Sequence, residues 1–230
     1  MAKTKNLSDY ICVFPDLEYR AEVPPLDVIA PSSAMMTIIE RHGGRPDFAA
    51  AVTPHGSPLT MVSLEKDIVA RCLSQGTASP CGTMEDIFHM IQLWGGEHGR
   101  YIYVQGPAFD WEEIRPAYAR LAAAAADPAK DEESMMRKAR AFTSTMQDQG
   151  RRLGLSFVTK HVWFWNHAAA GDDALPVFDT YMAKGLKLRP VWEHLALYWR
   201  SMRKKAAEEG ITVAALERQL FNHFRKQNQL

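Results

Sequence analysis

Apolar side chains recur at helical spacing along most of the chain. Between Thr60 and Leu73, for example, Met61, Leu64 and Ile68 fall on one face of a helix. Serine, threonine or aspartate stands before several such stretches, and glycine or proline follows their ends. The pattern predicts helices over residues 33–41, 60–73, 83–94, 111–126, 131–149, 158–167, 180–187, 190–209 and 213–227. The fold is therefore predicted to be mainly α.

The remaining stretches carry a different pattern. The apolar runs at 10–14 and 101–104 are short, and each is predicted to form at most a small strand or an extended connector. Proline and glycine mark residues 44–59 as loop. Because no internal repeat or linker divides the chain, we predict one helical domain over residues 1–230, in which segment 1–45 has no assigned place.

The composition agrees with one globular domain, since 47% of the 230 residues are hydrophobic. No apolar run reaches the length of a membrane span, and no secretory signal follows the basic N-terminus. The three cysteines, Cys12, Cys72 and Cys81, fit no metal-binding spacing. We therefore expect a cytoplasmic monomer with reduced thiols, without a metal, a cofactor or a membrane partner.

Charge is spread unevenly, although the chain carries no formal net charge. Residues 184–230 contain ten Lys and Arg against four Glu, an excess of six positive charges. This excess fits a surface that faces phosphates. It fits a solvated helix face equally well, and both interpretations stay open at this point.

Lys160 and Asp179 are the residues that most suggest chemistry. They stand nineteen residues apart, the lysine at the predicted start of an apolar helix and the aspartate directly before the next helix. An amine can attack a sugar carbon, and a nearby carboxylate can stabilise the cation that forms there. Each residue also has an ordinary interpretation, since most lysines are solvated and an aspartate before a helix caps it.

The residues around this pair resemble the helix-hairpin-helix DNA glycosylases, and most closely the 8-oxoguanine DNA glycosylase group. In that group a turn precedes Thr-Lys and an apolar helix, and a Pro-Val-x-Asp segment then leads into a further helix. Here residues 159–160 are Thr-Lys and residues 175–179 are Leu-Pro-Val-Phe-Asp. The resemblance covers the hairpin and catalytic region at 150–187. It departs from the family at the predicted turn, 155–158, where Leu-Ser-Phe-Val stands in place of Gly-x-Gly.

This resemblance implies a fold and an activity. The fold would be the mainly helical one of that superfamily, and the activity that of a bifunctional DNA glycosylase and abasic-site lyase on double-stranded DNA. Lys160 would form a Schiff base with the sugar, while Asp179 would stabilise the sugar cation and orient the nucleophile. The excised base would be an oxidised purine such as 8-oxoguanine, or a modified base of phage DNA.

Further site residues follow from the resemblance and from charge. Tyr181 replaces a family histidine that contacts phosphate, Phe164 lies where the family lines its base pocket, and Phe221 or Phe224 is expected from the last helix. The predicted DNA contacts are Ser156, Thr159, Tyr181, Arg151, Arg152, Lys184 and Lys187. Packing or solvation is the ordinary alternative for each. Two other functions remain open: a helical DNA-binding module without catalysis, and a protein-interaction domain of a bacterial defence system.

Overall fold

The described residues of the protein are helical. A computed structural model describes residues 12–20, 30–53, 59–75 and 84–227, and these form eleven α-helices and no strand. The helices are α1 (Ser33–His42), α2 (Phe48–Val52), α3 (Met61–Ser74), α4 (Met84–Trp94), α5 (Tyr101–Val104), α6 (Trp111–Ala125), α7 (Glu132–Asp148), α8 (Leu155–Ala170), α9 (Thr180–Gly185), α10 (Trp192–Glu209) and α11 (Val213–Gln227). The prediction of a mainly α fold is confirmed.

Several helices begin at the capping residues that the sequence predicts. Ser32 Oγ accepts a hydrogen bond from Met35 N at 3.3 Å, and Asp110 Oδ1 accepts one from Glu112 N at 2.9 Å. Thr212 caps α11 in the same way. Each cap satisfies a backbone N–H that has no partner within the helix, and contributes about 1 kcal/mol to stability.

The prediction of an extended segment at 101–104 is wrong, because these residues form the helical turn α5. A 3₁₀ turn over Glu97–Arg100 runs directly into it, so the chain is already helical when it reaches Tyr101. Burial also follows a helix here, since the adjacent residues Ile102 and Tyr103 are both buried while Val104 is exposed. A half-buried strand would bury alternate residues instead.

The predicted loop at 44–59 and the apolar run at 10–14 are each described in part. Within the loop predicted at 44–59, the short helix α2 forms and buries Phe48 and Val52, which lie one helical turn apart. Part of the apolar run at 10–14 lies outside the described residues. Its remainder forms no strand, although Val13 N donates to Leu186 O at 3.2 Å and holds this segment beside the end of α9.

The turn of the α7–α8 hairpin lies earlier than the sequence predicts. Residues 155–158, predicted as the turn, form the first turn of α8, where Phe157 N and Val158 N both donate to Gly154 O. The chain reverses over residues 149–154 instead, with Gly150 at a φ of 71°. Lys160 is therefore in the second turn of α8 and not at its start, and the turn does contain glycines.

Helix α8 lies at the centre of the fold, in contact with α3, α4, α6 and α7. A buried polar chain fixes it there: His161 binds Gln92 of α4 at 2.8 Å and Tyr118 of α6 at 2.9 Å. Trp165 donates to the same Tyr118 hydroxyl at 3.1 Å. Burial lowers the pKa of His161 to about 3, so its ring is neutral. This network sets the rotation of α8 and hence the side on which Lys160 lies.

The buried side chains of the described helices join into one continuous core. Helix α10 packs on α7, and α11 packs on α9 and α10. The side chain of Gln219 exchanges two hydrogen bonds with the backbone of Arg20, at 2.8 and 2.7 Å, which holds the segment 12–20 against α11. No described helix is long and apolar enough to cross a membrane.

Candidate active site

Lys160 projects from α8 into a partly buried position. Its ammonium donates to Ser156 Oγ, one turn earlier, at 3.0 Å and lies 4.5 Å from the centre of the Phe157 ring. Phe157 is held in turn by the Gly95–Gly99 turn. A Cβ at Gly95 would lie 2.3 Å from that ring, so glycine is needed for the turn to close on it. The surface below the amine is therefore rigid and partly apolar.

Asp179 follows residues 175–177, whose backbone groups are hydrogen-bonded by side chains of α8 and α10. Asn166 accepts from Leu175 N at 2.7 Å, Trp199 donates to Pro176 O at 2.8 Å, and Tyr198 donates to Val177 O at 3.0 Å. Asp179 then caps α9, as predicted, by accepting from Met182 N at 2.8 Å. The partners of this segment come from three helices, α8, α10 and α9. They leave Asp179 little freedom to move.

Thr159 connects the two candidate catalytic residues. Its hydroxyl accepts from Phe178 N at 3.1 Å, and it donates to the carbonyls of the preceding turn of α8. The residue before Lys160 is thus bonded to the residue before Asp179. This hydrogen bond brings together two parts of the chain that are nineteen residues apart, and both contribute to one candidate site.

The electrostatics of the pair are those of a desolvated amine beside a carboxylate. Burial lowers the pKa of Lys160, and the charges of Asp179 and Glu217 oppose this change. Burial raises the pKa of Asp179, while the hydrogen bond from Met182 and the charge of Lys160 lower it. A lowered pKa increases the fraction of neutral amine, which is the nucleophilic form.

Glu217 is a site residue that the sequence prediction missed. It extends from α11, and its Oε1 accepts from Val177 N at 2.7 Å, two residues before Asp179. A signal was present, because Glu217 stands on the apolar face of α11 beside Val213 and Leu220, where a carboxylate is unusual. The site is thus built by three parts of the chain: α8, the segment before α9, and α11.

An aromatic stack continues from Lys160 along the same face of α8. Trp163 lies between Trp94 of α4 and His167, with ring centres 5.9 and 4.8 Å apart and nearly parallel planes. Glu65 of α3 accepts a hydrogen bond from Trp94, and burial raises the pKa of its carboxyl group. Lys160 therefore lies at one end of a wall made of aromatic rings and an acid.

The structure corrects the prediction that Phe164 lines a base pocket. Its side chain is 0% exposed and packs edge-to-face on Trp94 and Trp163, at 5.1 and 4.7 Å. Trp94 at the end of α4 covers that side of α8, so Phe164 belongs to the core. Phe224, the alternative to Phe221, is also buried.

Two of the predicted DNA contacts are corrected as well. Thr159 is 0% exposed, and its hydroxyl is engaged by the backbone as described above. Arg151 is 1% exposed, because its guanidinium turns inward and donates to the carbonyls of Ile102, Pro107 and Ala108. A phosphate in solution does not reach either side chain. Arg151 instead fastens the hairpin turn to the segment between α5 and α6.

The other predicted contacts remain accessible. Arg152, Lys184 and Lys187 are exposed, and Ser156 is partly buried beneath Lys160. Tyr181 is 44% exposed and lies edge-to-face with Phe221 at 6.0 Å.

The basic excess of the C-terminal region is partly used within the protein. Arg200 and Arg203 of α10 pair with Glu133 and Glu132 of α7 at 3.3 and 2.9 Å. Lys204 and Lys205 pair with glutamates one turn later in α10. Four of the ten basic residues in this region therefore form ion pairs with glutamates of α7 and α10.

Within the described residues, no group of three or more His, Cys, Asp and Glu side chains is arranged to hold a metal ion. Comparison of the chain with protein-family models, with curated proteins and with solved structures found no match. Function is therefore inferred from the site itself.

Proposed function

We propose that this protein is a DNA glycosylase with abasic-site lyase activity, in which Lys160 is the nucleophile and Asp179 the stabilising carboxylate. One observation carries the proposal: the hydrogen bond from Phe178 N to Thr159 Oγ1 joins the residue before Asp179 to the residue before Lys160, and the charges of Lys160 and Asp179 act on each other. The order of these groups along the chain matches the glycosylase family that the sequence resembles. A desolvated amine with an adjacent carboxylate is suited to attack at a sugar carbon that is becoming cationic.

The reaction uses the pair in a defined sequence. The glycosidic bond breaks, its electron pair leaves on the base nitrogen, and the base takes up a proton. Asp179 stabilises the cationic sugar, while the Lys160 amine bonds to C1′ and releases a proton to solvent. The nitrogen lone pair then forms the C=N bond of a Schiff base as the C1′–O4′ bond breaks, and O4′ takes up a proton from solvent. Loss of a proton from C2′ then expels the 3′ phosphate and cleaves the strand.

The end of the hairpin supplies groups that suit a DNA backbone. Gly154 is exposed and provides no side-chain cap to α8, so the backbone N–H groups that come before Phe157 N in this helix are open to an anion. Arg152 precedes this end and is exposed, and Tyr181 and Lys184 are exposed on α9, the helix that Asp179 caps. Exposed groups of this kind support binding to DNA phosphates.

The base that leaves the stack needs a surface on which to bind. The rings of Phe221, Trp94 and His167 are partly exposed and offer aromatic surface, whereas Trp163 is buried between Trp94 and His167. Such surfaces offset part of the cost of extruding a base from the duplex. The substrate class stays that of the sequence hypothesis, an oxidised purine or a modified base of phage DNA.

Borohydride trapping on a duplex with a single abasic site tests the proposal. Borohydride reduces the Schiff base to a stable amine, so wild-type protein is expected to give a covalent adduct, and Lys160→Ala none. Lys138→Ala, which removes an exposed lysine of α7, is the matched control and should trap like wild type. Equal adduct yield from Lys160→Ala would remove Lys160 from the mechanism. Salt-dependent DNA binding without any adduct would favour the non-catalytic DNA-binding module.

A further inference from the structure

We infer that Glu217 is a positioning residue that holds the backbone leading to Asp179 and, through its charge, governs the protonation of Lys160. The inference rests on the proposed function and assigns to the same site a regulating acid from a different helix. Its geometric basis is the 2.7 Å hydrogen bond from Val177 N to Glu217 Oε1.

Glu217 differs in kind from the other side chains that hold this segment. Asn166 and Trp199 bind the neighbouring backbone groups through an amide and an indole, whose charge does not change with pH. Burial raises the pKa of the Tyr198 hydroxyl well above its usual value, so that contact stays neutral too. Glu217 can change its charge without losing an acceptor oxygen for Val177 N.

The charge of Glu217 acts on Lys160, and the charge of Asp179 acts on Glu217. An ionised Glu217 raises the pKa of Lys160, and an ionised Asp179 raises the pKa of Glu217. Glu65 of α3 raises the pKa of Glu217 as well, whereas Arg218 of α11 and the bond to Val177 N lower it. With burial as the largest cause, the pKa of Glu217 is raised to about 8.

Two states of the site follow from this arrangement. Below about pH 8 the Glu217 carboxyl is mainly protonated, so it binds Val177 N without retaining the proton of Lys160. Above that pH it ionises, and its negative charge holds the proton on the Lys160 amine. Glu217 therefore delays the appearance of neutral amine as pH rises.

The test is the pH dependence of borohydride trapping on an abasic duplex, which carries no base for Glu217 to contact. Glu217→Gln keeps the acceptor for Val177 N but removes the charge. Its trapping rate is expected to rise at lower pH than that of wild type, with the midpoint shifted by about one unit. Glu217→Asp keeps the charge but withdraws the acceptor by one methylene, so its rate should fall about tenfold without that shift.

Glu208→Gln, which neutralises an exposed acid of α10, is the matched control and should follow the wild-type profile. A Glu217→Gln profile that coincides with wild type would overturn the inference and leave Glu217 a packing residue. If that variant fails to fold, Glu65→Gln replaces it: removing the Glu65 charge lets Glu217 ionise earlier, so the midpoint should move to higher pH, and an unmoved midpoint would equally overturn the inference. Absence of wild-type trapping would instead reject the proposed function.

Discussion

At the scale of single residues, the site depends on side chains whose chemistry is set by burial. Lys160 and Asp179 are both partly desolvated, which lowers the pKa of the amine and raises that of the carboxyl group. Both changes disfavour the charged forms. The ionised amine and the ionised carboxylate are therefore each less stable in the site than in water. Such a cost to stability is common where function requires it.

Asp179→Asn separates the two roles of this residue. Asparagine still caps α9, since its side-chain oxygen accepts from Met182 N, so the cap should persist. The raised pKa of Asp179 means that the folded protein binds this proton more tightly than the unfolded chain. Ionisation therefore costs stability as pH rises through the folded pKa, and the variant avoids that cost.

We expect Asp179→Asn to melt at or above the wild-type temperature at neutral pH, but to release the base about a hundredfold more slowly. Thermal unfolding and single-turnover excision, on whichever duplex of a modified-base panel the wild type cleaves, measure the two effects. Asp179→Ala is the comparison, because it loses the cap and about 1 kcal/mol of stability. Unchanged excision by Asp179→Asn would contradict the catalytic role.

At the scale of elements, the α7–α8 hairpin positions the site through its turn. Arg151 anchors this turn by donating to three backbone carbonyls and by lying 5.1 Å over the Phe109 ring. Its neighbour Arg152 is exposed. Two adjacent arginines thus have different tasks, one inside the protein and one facing solvent.

Arg151→Ala should destabilise the fold by about 3 kcal/mol, because it leaves buried carbonyls without donors. Arg152→Ala should change stability by less than about 0.5 kcal/mol and should weaken DNA binding instead. Chemical denaturation and a binding titration at two salt concentrations measure these outcomes. Equal destabilisation by the two substitutions would show that the turn is not anchored as described.

The sequence predicts elements better than it predicts their contacts. Caps such as Asp110 and Asp179 depend on neighbouring residues alone, and both are found where expected. The sequence predicts the turn at 155–158, whereas the chain turns at 149–154. The prediction is wrong because the apolar residues Leu155 and Phe157 fit a hairpin turn and the first turn of a helix equally well. The inward course of Arg151 is set by carbonyls more than forty residues away, and no local pattern contains that information.

At the scale of the whole molecule, the site joins parts that are distant in sequence. Helix α8 gives Lys160, the segment before α9 gives Asp179, and α11 binds that segment through Glu217. Helices α3 and α4 contribute Glu65 and Trp94, and Trp94 stacks on Trp163 of α8. Function therefore depends on the fold as a unit, and a spacing in the sequence identifies only the central pair.

The chemistry of Lys160 is the central claim, and mapping the trapped adduct tests it most directly. After borohydride reduction on an abasic duplex, nuclease and protease digestion followed by tandem mass spectrometry locates the residue that carries the sugar remnant. The remnant is expected on Lys160 Nζ. A remnant on another lysine or on the N-terminal amine, with Lys160 unmodified, would contradict it.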